Sequence, residues 1–277
     1  MTVASAEIGL LAAEQVRDIY ARSDSADCWK RLVGGGWSGL GADPDADLDV
    51  RAIQEIARVS GQFICDVPLT TTILVGRWFG AEAASASGGA TVALPFGHEA
   101  VAAPYAASES TALIDGEGAA IPDDWSGFAV DRFAEPMPLR MVRHNHDAKV
   151  LPPEHESELH AVLSATAVGC ADAVLQRSVD WAQTRVQFEQ PIAGFQAVRH
   201  ILADMHIARE LAWTAAIACG HEADRAATWS RMAVDSAMTA IELGIQAHGG
   251  VGFTWELGLH HYLRHVMQIR MLLSINA

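Results

Sequence analysis

Apolar residues recur every three or four positions over most of this chain, the period of a helix with one buried face. Between Ala4 and Arg22 the stripe is Ile8, Leu11, Ala12, Val16, Ile19 and Tyr20. Gly34-Gly35-Gly36-Trp37 interrupts it, because three glycines in a row do not sustain a helix. The period resumes over Leu48–Val59 with Val50, Ile53, Ile56 and Ala57, and Pro68 opens a further apolar helix over Leu69–Phe79. From about Ser85 to Val150 the texture changes to short segments between Gly, Pro and Asp turns. Ala90–Leu94, Ser110–Ile114, Ala119–Ile121 and Gly127–Asp131 predict a small antiparallel sheet. After Pro152-Pro153 the helical period returns in four long stretches: Glu154–Gln183, Phe195–Cys219, Ala223–His248 and about Leu257–Leu273. Small residues on their packing faces and short links predict an antiparallel bundle. The expected organisation is 1–84 helical, 85–150 a reduced β region and 151–277 a four-helix bundle.

Composition narrows the functional classes. Half of the residues are apolar, enough to build a core, and 19 basic against 34 acidic residues leave a net charge of −15. An acidic surface repels phosphate backbones and anionic lipid, so nucleic-acid and membrane partners are not expected. No unbroken apolar run reaches the roughly 18–20 residues of a membrane span. The first twenty residues include Glu7, Glu14, Arg17 and Asp18, unlike a signal peptide. A cytoplasmic location is the expectation. Cys28, Cys65, Cys170 and Cys219 lie far apart without a Cys-x-x-Cys pair, so reduced, mostly buried thiols are expected, with no metal site. His98, His144, His146, His260 and His261 are scattered and read as solvated.

Two bundle segments could carry chemistry. The first is Arg185-Val186-Gln187-Phe188-Glu189-Gln190-Pro191-Ile192, followed by Phe195-Gln196. It reads as a helix end, a turn and a new helix start. An Arg there can grip a phosphate bidentately and a Phe can cover a ring. Alternatively the Arg caps helix carbonyls beside a buried Phe. The second is Gln246-Ala-His-Gly249-Gly250-Val-Gly252-Phe253-Thr-Trp-Glu256. Its glycines suit either a helix C-cap or close approach of backbone N–H groups to an anion. Glu256, between Trp255 and Leu257, reads as a desolvated carboxylate with a raised pKa, or as a first-turn acid favoured by a helix dipole.

The order and spacing of the two segments resemble the C-terminal half of the acyl-CoA dehydrogenase family, over roughly residues 155–270. The likeness rests on Arg185-x-Gln187-Phe188-x-x-Pro191-Ile192 with Gln196 and His200, then Gln246-x-x-Gly249-Gly250-x-Gly252-Phe253 with Glu256 three residues on. Gly36-Trp37-x-Gly39-Leu40 and Ala90-Thr91-Val92-Ala93-Leu94 are weaker echoes of the family's amino-terminal and middle domains. The resemblance implies a mainly α fold with a β middle domain and FAD as cofactor. It implies that Arg185, Gln187, Phe188 and Gln196 hold the FAD pyrophosphate of an adjacent subunit, with Gln246, Gly249 and Gly250 at the adenosine-phosphate end. It further implies Glu256 as the catalytic base that removes the α-proton of an acyl-CoA thioester, and an electron-transfer flavoprotein or similar acceptor.

The chain also departs from that pattern. Thr-Glu-Pro and Gly-Ser-Asp elements are missing from the middle region, where Leu94-Pro95-Phe96-Gly97-His98 stands instead. The sequence stops soon after Arg270, before a Glu-Gly-Thr segment, and Glu256 is followed by Leu257-Gly258. A β region this small is not expected to house its own flavin ring. The expectation is therefore the short subunit of an α2β2 acyl-CoA dehydrogenase of the steroid-catabolic type, paired with a fuller homologue and acting on a bulky thioester. Two alternatives remain: a non-catalytic scaffold that completes its partner's FAD site, and a flavin-free binding protein.

Overall fold

The computed structural model describes residues 3–46, 48–96, 100–106, 112–114, 128–129, 139–143 and 151–274. Four helices come first: α1 (Val3–Ala21), α2 (Ser25–Gly34), α3 (Val50–Gln62) and α4 (Leu69–Phe79), with a 3-10 turn over Trp37–Ala42. The expected helices are all present, and α2 is an addition. Its short amphipathic run starts where the Asp24 carboxylate accepts a hydrogen bond from the Asp27 N–H, an N-cap within a polar stretch. Asp49 caps α3 in the same way, through the Ala52 N–H.

Among the described residues six short strands follow: β1 (Ala90–Val92), β2 (Leu94–Phe96), β3 (Ala100–Pro104), β4 (Ala112–Ile114), β5 (Phe128–Ala129) and β6 (Leu139–Arg143). The order β2-β3-β6-β5 is antiparallel throughout, as the short spacings predict. β1 differs. It lies parallel to β4, with Ala90 opposite Ala112 and Val92 opposite Ile114. Ala93 breaks the run expected to continue through Leu94, and its N–H is spent on the Ile114 carbonyl. The segment expected over Ala119–Ile121 lies outside the described residues. Buried Thr72 joins this layer to α4: its hydroxyl donates to the Ala90 carbonyl at 3.2 Å and accepts from the Ala90 N–H at 2.9 Å.

The remainder is α5 (Pro153–Thr184), a two-residue hairpin of β7 (Val186–Gln187) and β8 (Gln190–Pro191), α6 (Gln196–Cys219), α7 (Ala226–His248) and α8 (Leu259–Ser274). α5 packs against α3, α6, α7 and α8, so it is buried on nearly every side. It is long and apolar enough to cross a membrane by composition, yet 78% of that window is buried inside the protein. The core helix of a bundle has the same composition, and here the other helices supply its apolar surroundings.

Small residues let α3 and α5 cross closely. A Cβ on Gly61 would lie 1.9 Å from the Thr166 carbonyl oxygen, and one on Gly169 would lie 1.9 Å from that of Arg58. The approach is reciprocal, so neither helix can yield without displacing the other. One apolar core runs from Val16 and Ile56 through Val162 and Ala212 to Leu272. All four cysteines are free thiols, three of them buried.

Candidate functional site

α5 ends at Arg185, where the chain turns into the β7–β8 hairpin. The expectation of a plain turn misses this hairpin. Its central residues, Phe188 (φ 49°) and Glu189 (φ 68°), both lie in the left-handed region. Positive φ at both positions matches the right-handed twist of a two-residue hairpin, a geometry that prefers Asn or Gly. A Phe and a Glu held there cost of order 1–3 kcal/mol each. Phe188 is 86% exposed, and its ring meets that of Phe195 edge-on at 6.0 Å. The alternative of a buried Phe beside a capping Arg is thereby overturned. Arg185 and Gln187 are exposed beside it, and the Gln187 amide donates to the Val186 carbonyl at 2.7 Å.

α6 starts directly behind this hairpin. No side chain caps its first turn, and Gln196 and Ala197 are exposed. The first turn of this 24-residue helix therefore keeps backbone N–H groups without a side-chain cap, with the helix dipole behind them. At the end of α7, Gln246 is exposed and Gly249 serves as C-cap with φ 67° and ψ −145°, a backbone that L side chains rarely adopt. Gly250 has no such reason. A Cβ there would meet nothing within 4 Å, so only an approach from outside the chain would call for its bare backbone.

Trp181 brings the two segments together. Its ring stacks on His248 with centroids 5.4 Å apart and planes 24° apart, while the Arg185 guanidinium lies 5.6 Å from it. His248 donates from Nδ1 to the Gly244 carbonyl at 2.8 Å, and burial pushes its pKa down. Trp181 is not among the candidates that the sequence pattern singles out. The signal was available, because Arg177, Trp181 and Arg185 stand four apart and so line one face of α5.

Glu256 lies elsewhere on the same end of the bundle. The expectation of a desolvated carboxylate is overturned for the chain by itself. Glu256 is fully exposed, and hydrogen bonds from its own backbone N–H and the Thr254 hydroxyl hold its carboxyl below the usual range. It does not act as the N-terminal acid of α8 either, since that helix starts three residues later at Leu259. Its loop is anchored: Arg177 donates to the Leu257 carbonyl, and Tyr262 donates to the Gln62 carbonyl at 3.2 Å. Trp255 is 70% exposed and packs edge-on against His260 at 4.3 Å. His260 and His261 are therefore half-buried rather than solvated, while His98, His144 and His146 lie outside the described residues. Among the described residues no three metal-ligating side chains converge.

Residues 160–272 match the acyl-CoA dehydrogenase C-terminal domain. Acyl-CoA dehydrogenase IpdE2 of Mycobacterium tuberculosis is 33% identical over 146 residues, which are 50% of this chain and 46% of that protein. The chain thus matches under half of that relative's length. Among solved structures, the Tcur3481–Tcur3483 steroid ACAD variant superposes with a TM-score of 0.70 at 20% identity, covering 97% of this chain and 91% of that one. The ChsE4–ChsE5 complex of M. tuberculosis gives 0.66 at 18% identity, covering 99% and 94%. The acyl-CoA dehydrogenase fold therefore extends beyond the matched domain, over nearly the whole chain. The matched stretch contains both candidate segments, and Arg185, Gln187, Phe188, Gln196, Gln246, Gly249, Gly250 and Glu256 all fall inside it.

Proposed function

We propose that this chain is one subunit of an FAD-dependent acyl-CoA dehydrogenase, completed by a homologous partner, and that it acts on a bulky, steroid-derived acyl-CoA thioester. The observation that carries the reading is the exposed hairpin, where backbone strain at Phe188 and Glu189 leaves the Phe188 ring outward next to exposed Arg185 and a helix without a side-chain N-cap. Strain held at a surface tip without an internal contact to reward it favours an external ligand. A diphosphate fits this donor set. Arg185 would hold it bidentately, Gln187 and Gln196 would donate amide N–H groups, and Gly250 would let backbone approach the adenosine-phosphate end.

Large aromatics exposed around the site support a partner. Phe188, Phe253 and Trp255 are 86%, 76% and 70% exposed, with Val186 and Val251 beside them. Exposed apolar groups of this size on the two candidate segments favour an interaction surface. The solved two-chain relative and the steroid enzyme support the heteromeric, steroid-directed form of the proposal.

When bound, the flavin supplies the hydride acceptor. This chain's own contribution is the proton. Removing the α-proton of a thioester needs a base whose pKa is raised toward that of the acid. Glu256 meets that need only after bound acyl chain and partner surface strip its water, since desolvation disfavours the carboxylate form. Its exposure in the chain alone also favours a second reading, a scaffold subunit whose partner supplies the base.

The visible spectrum tests the cofactor reading. The chain purified with a homologous partner should be yellow, and Arg185→Ala should strip the flavin from the complex. A colourless complex, or full FAD occupancy in the variant, would overturn it.

A further inference from the structure

Where α1, α3, α5 and α6 meet, a cavity of about 650 Å³ is lined by Arg17, Arg58, Arg177 and Arg209, with Phe63 and Asp172 among its walls. Four guanidiniums in one cavity are notable in a chain with a net charge of −15. Their partners do not balance them. Asp172 serves two at once, accepting from Arg58 Nε and from Arg209 Nε, each at 2.5 Å. Arg209 also pairs with Glu210, the other carboxylate of the wall, which lies 3.9 Å from His206 Nε2. Arg177 spends a donor on the neutral Leu257 carbonyl and lies 5.8 Å from the centroid of the Tyr262 ring. Arg17 is exposed and makes no hydrogen bond or ion pair among the described residues. Arg58 also lies 3.8 Å from the Glu55 carboxylate, so Arg58 and Arg209 are compensated, and Arg17 and Arg177 are the two lining guanidiniums without an ion pair among the described residues.

We propose that this cavity binds a phosphorylated small molecule. Two uncompensated guanidiniums match a dianionic phosphate or diphosphate, and Arg recognises such groups through paired N–H donors. Arg58 and Arg209, clamped by Asp172, form a pre-ordered wall. Arg17 and Arg177 are the groups with capacity to spare. Phe63, 38% exposed at the cavity, offers a ring on which a base can stack. The site is separate from the FAD proposal, since neither Arg185 nor Gly250 lines it.

Isothermal titration of the full-length protein with inorganic pyrophosphate, ADP and adenosine tests the proposal. Pyrophosphate and ADP should bind, adenosine should not, and affinity should fall as salt rises. Arg17→Ala, at an exposed position that leaves the fold intact, should weaken pyrophosphate binding about tenfold or more, and Arg177→Gln similarly. Arg185→Ala separates the two sites, because any pyrophosphate binding that remains in this variant, and is then lost on adding Arg17→Ala, belongs to the cavity. Absence of binding at millimolar pyrophosphate and ADP, or binding that survives Arg17→Ala and Arg177→Gln but is lost in Arg185→Ala, would refute the assignment.

Discussion

A carboxylate's chemistry depends on what surrounds it, and Glu256 makes the point at the scale of one residue. In the isolated chain its carboxyl is solvated and held low by its own N–H and Thr254. Such a group is a weak base for a thioester α-proton. If the assembled enzyme desolvates it, Glu256→Gln should lower turnover by about 100- to 10,000-fold while the complex keeps its flavin. Stopped-flow reduction of the flavin by substrate checks this, and turnover within a factor of two of the parent would assign the base to the partner. The segment holding Arg185 and Phe188 was legible as a candidate, but the outward placement of Phe188 was not. Trp181, which joins them to His248, was legible only as a helical neighbour, because aromatic stacking across two elements leaves no mark on local sequence.

At the scale of elements, the helices follow their patterns closely while the strands do not. α4 spans the expected Leu69–Phe79 because its apolar run is bounded by Pro68 and Gly80, which stop it chemically at both ends. The strands are two to five residues long, too short for a period of two to declare itself, and β3 and β6 pair across a long separation. The hairpin between α5 and α6 is equally hidden, since nothing in Phe188-Glu189 advertises positive φ. Close crossing of α3 and α5 leads to a sharper expectation. Gly169→Ala places a methyl carbon against the Arg58 carbonyl with no side chain able to move aside. Overpacking of this kind should cost at least about 1–3 kcal/mol. A lower urea midpoint with an unchanged slope is the expected reading.

For the whole molecule, burial sets the response to acid. His160 and His265 sit in the core with pKa values pushed down to about 4 from the usual 6.5 by desolvation. His160 Nδ1 bonds the Ser230 hydroxyl at 2.9 Å, while its Nε2 has no hydrogen-bond partner and lies 3.8 Å from the Glu156 carboxylate. His265 Nε2 faces the Tyr105 hydroxyl at 3.5 Å, and its Nδ1 is likewise unmatched. The unfolded chain takes up these protons below pH 6.5 whereas the folded chain does so only near 4. Stability is therefore fully present above pH 6.5 and falls as pH drops toward 4, by up to about 3 kcal/mol per histidine. Denaturation midpoints measured between pH 7.5 and 5 should decline, and His265→Phe should flatten the decline. A midpoint independent of pH over that range would contradict the neutral burial of both rings.

Sequence by itself determined the mainly helical architecture, the long bundle and the two segments that carry its candidate chemistry, because helical period, caps and breakers are local properties. Tertiary structure decided what those residues can do. Whether a Phe is buried or thrust outward, whether a Glu is dry or solvated, and which arginines are left without a counter-charge all depend on what lies across from them. Solvation and charge compensation are set by neighbours remote in the chain, and no reading of adjacent residues contains them.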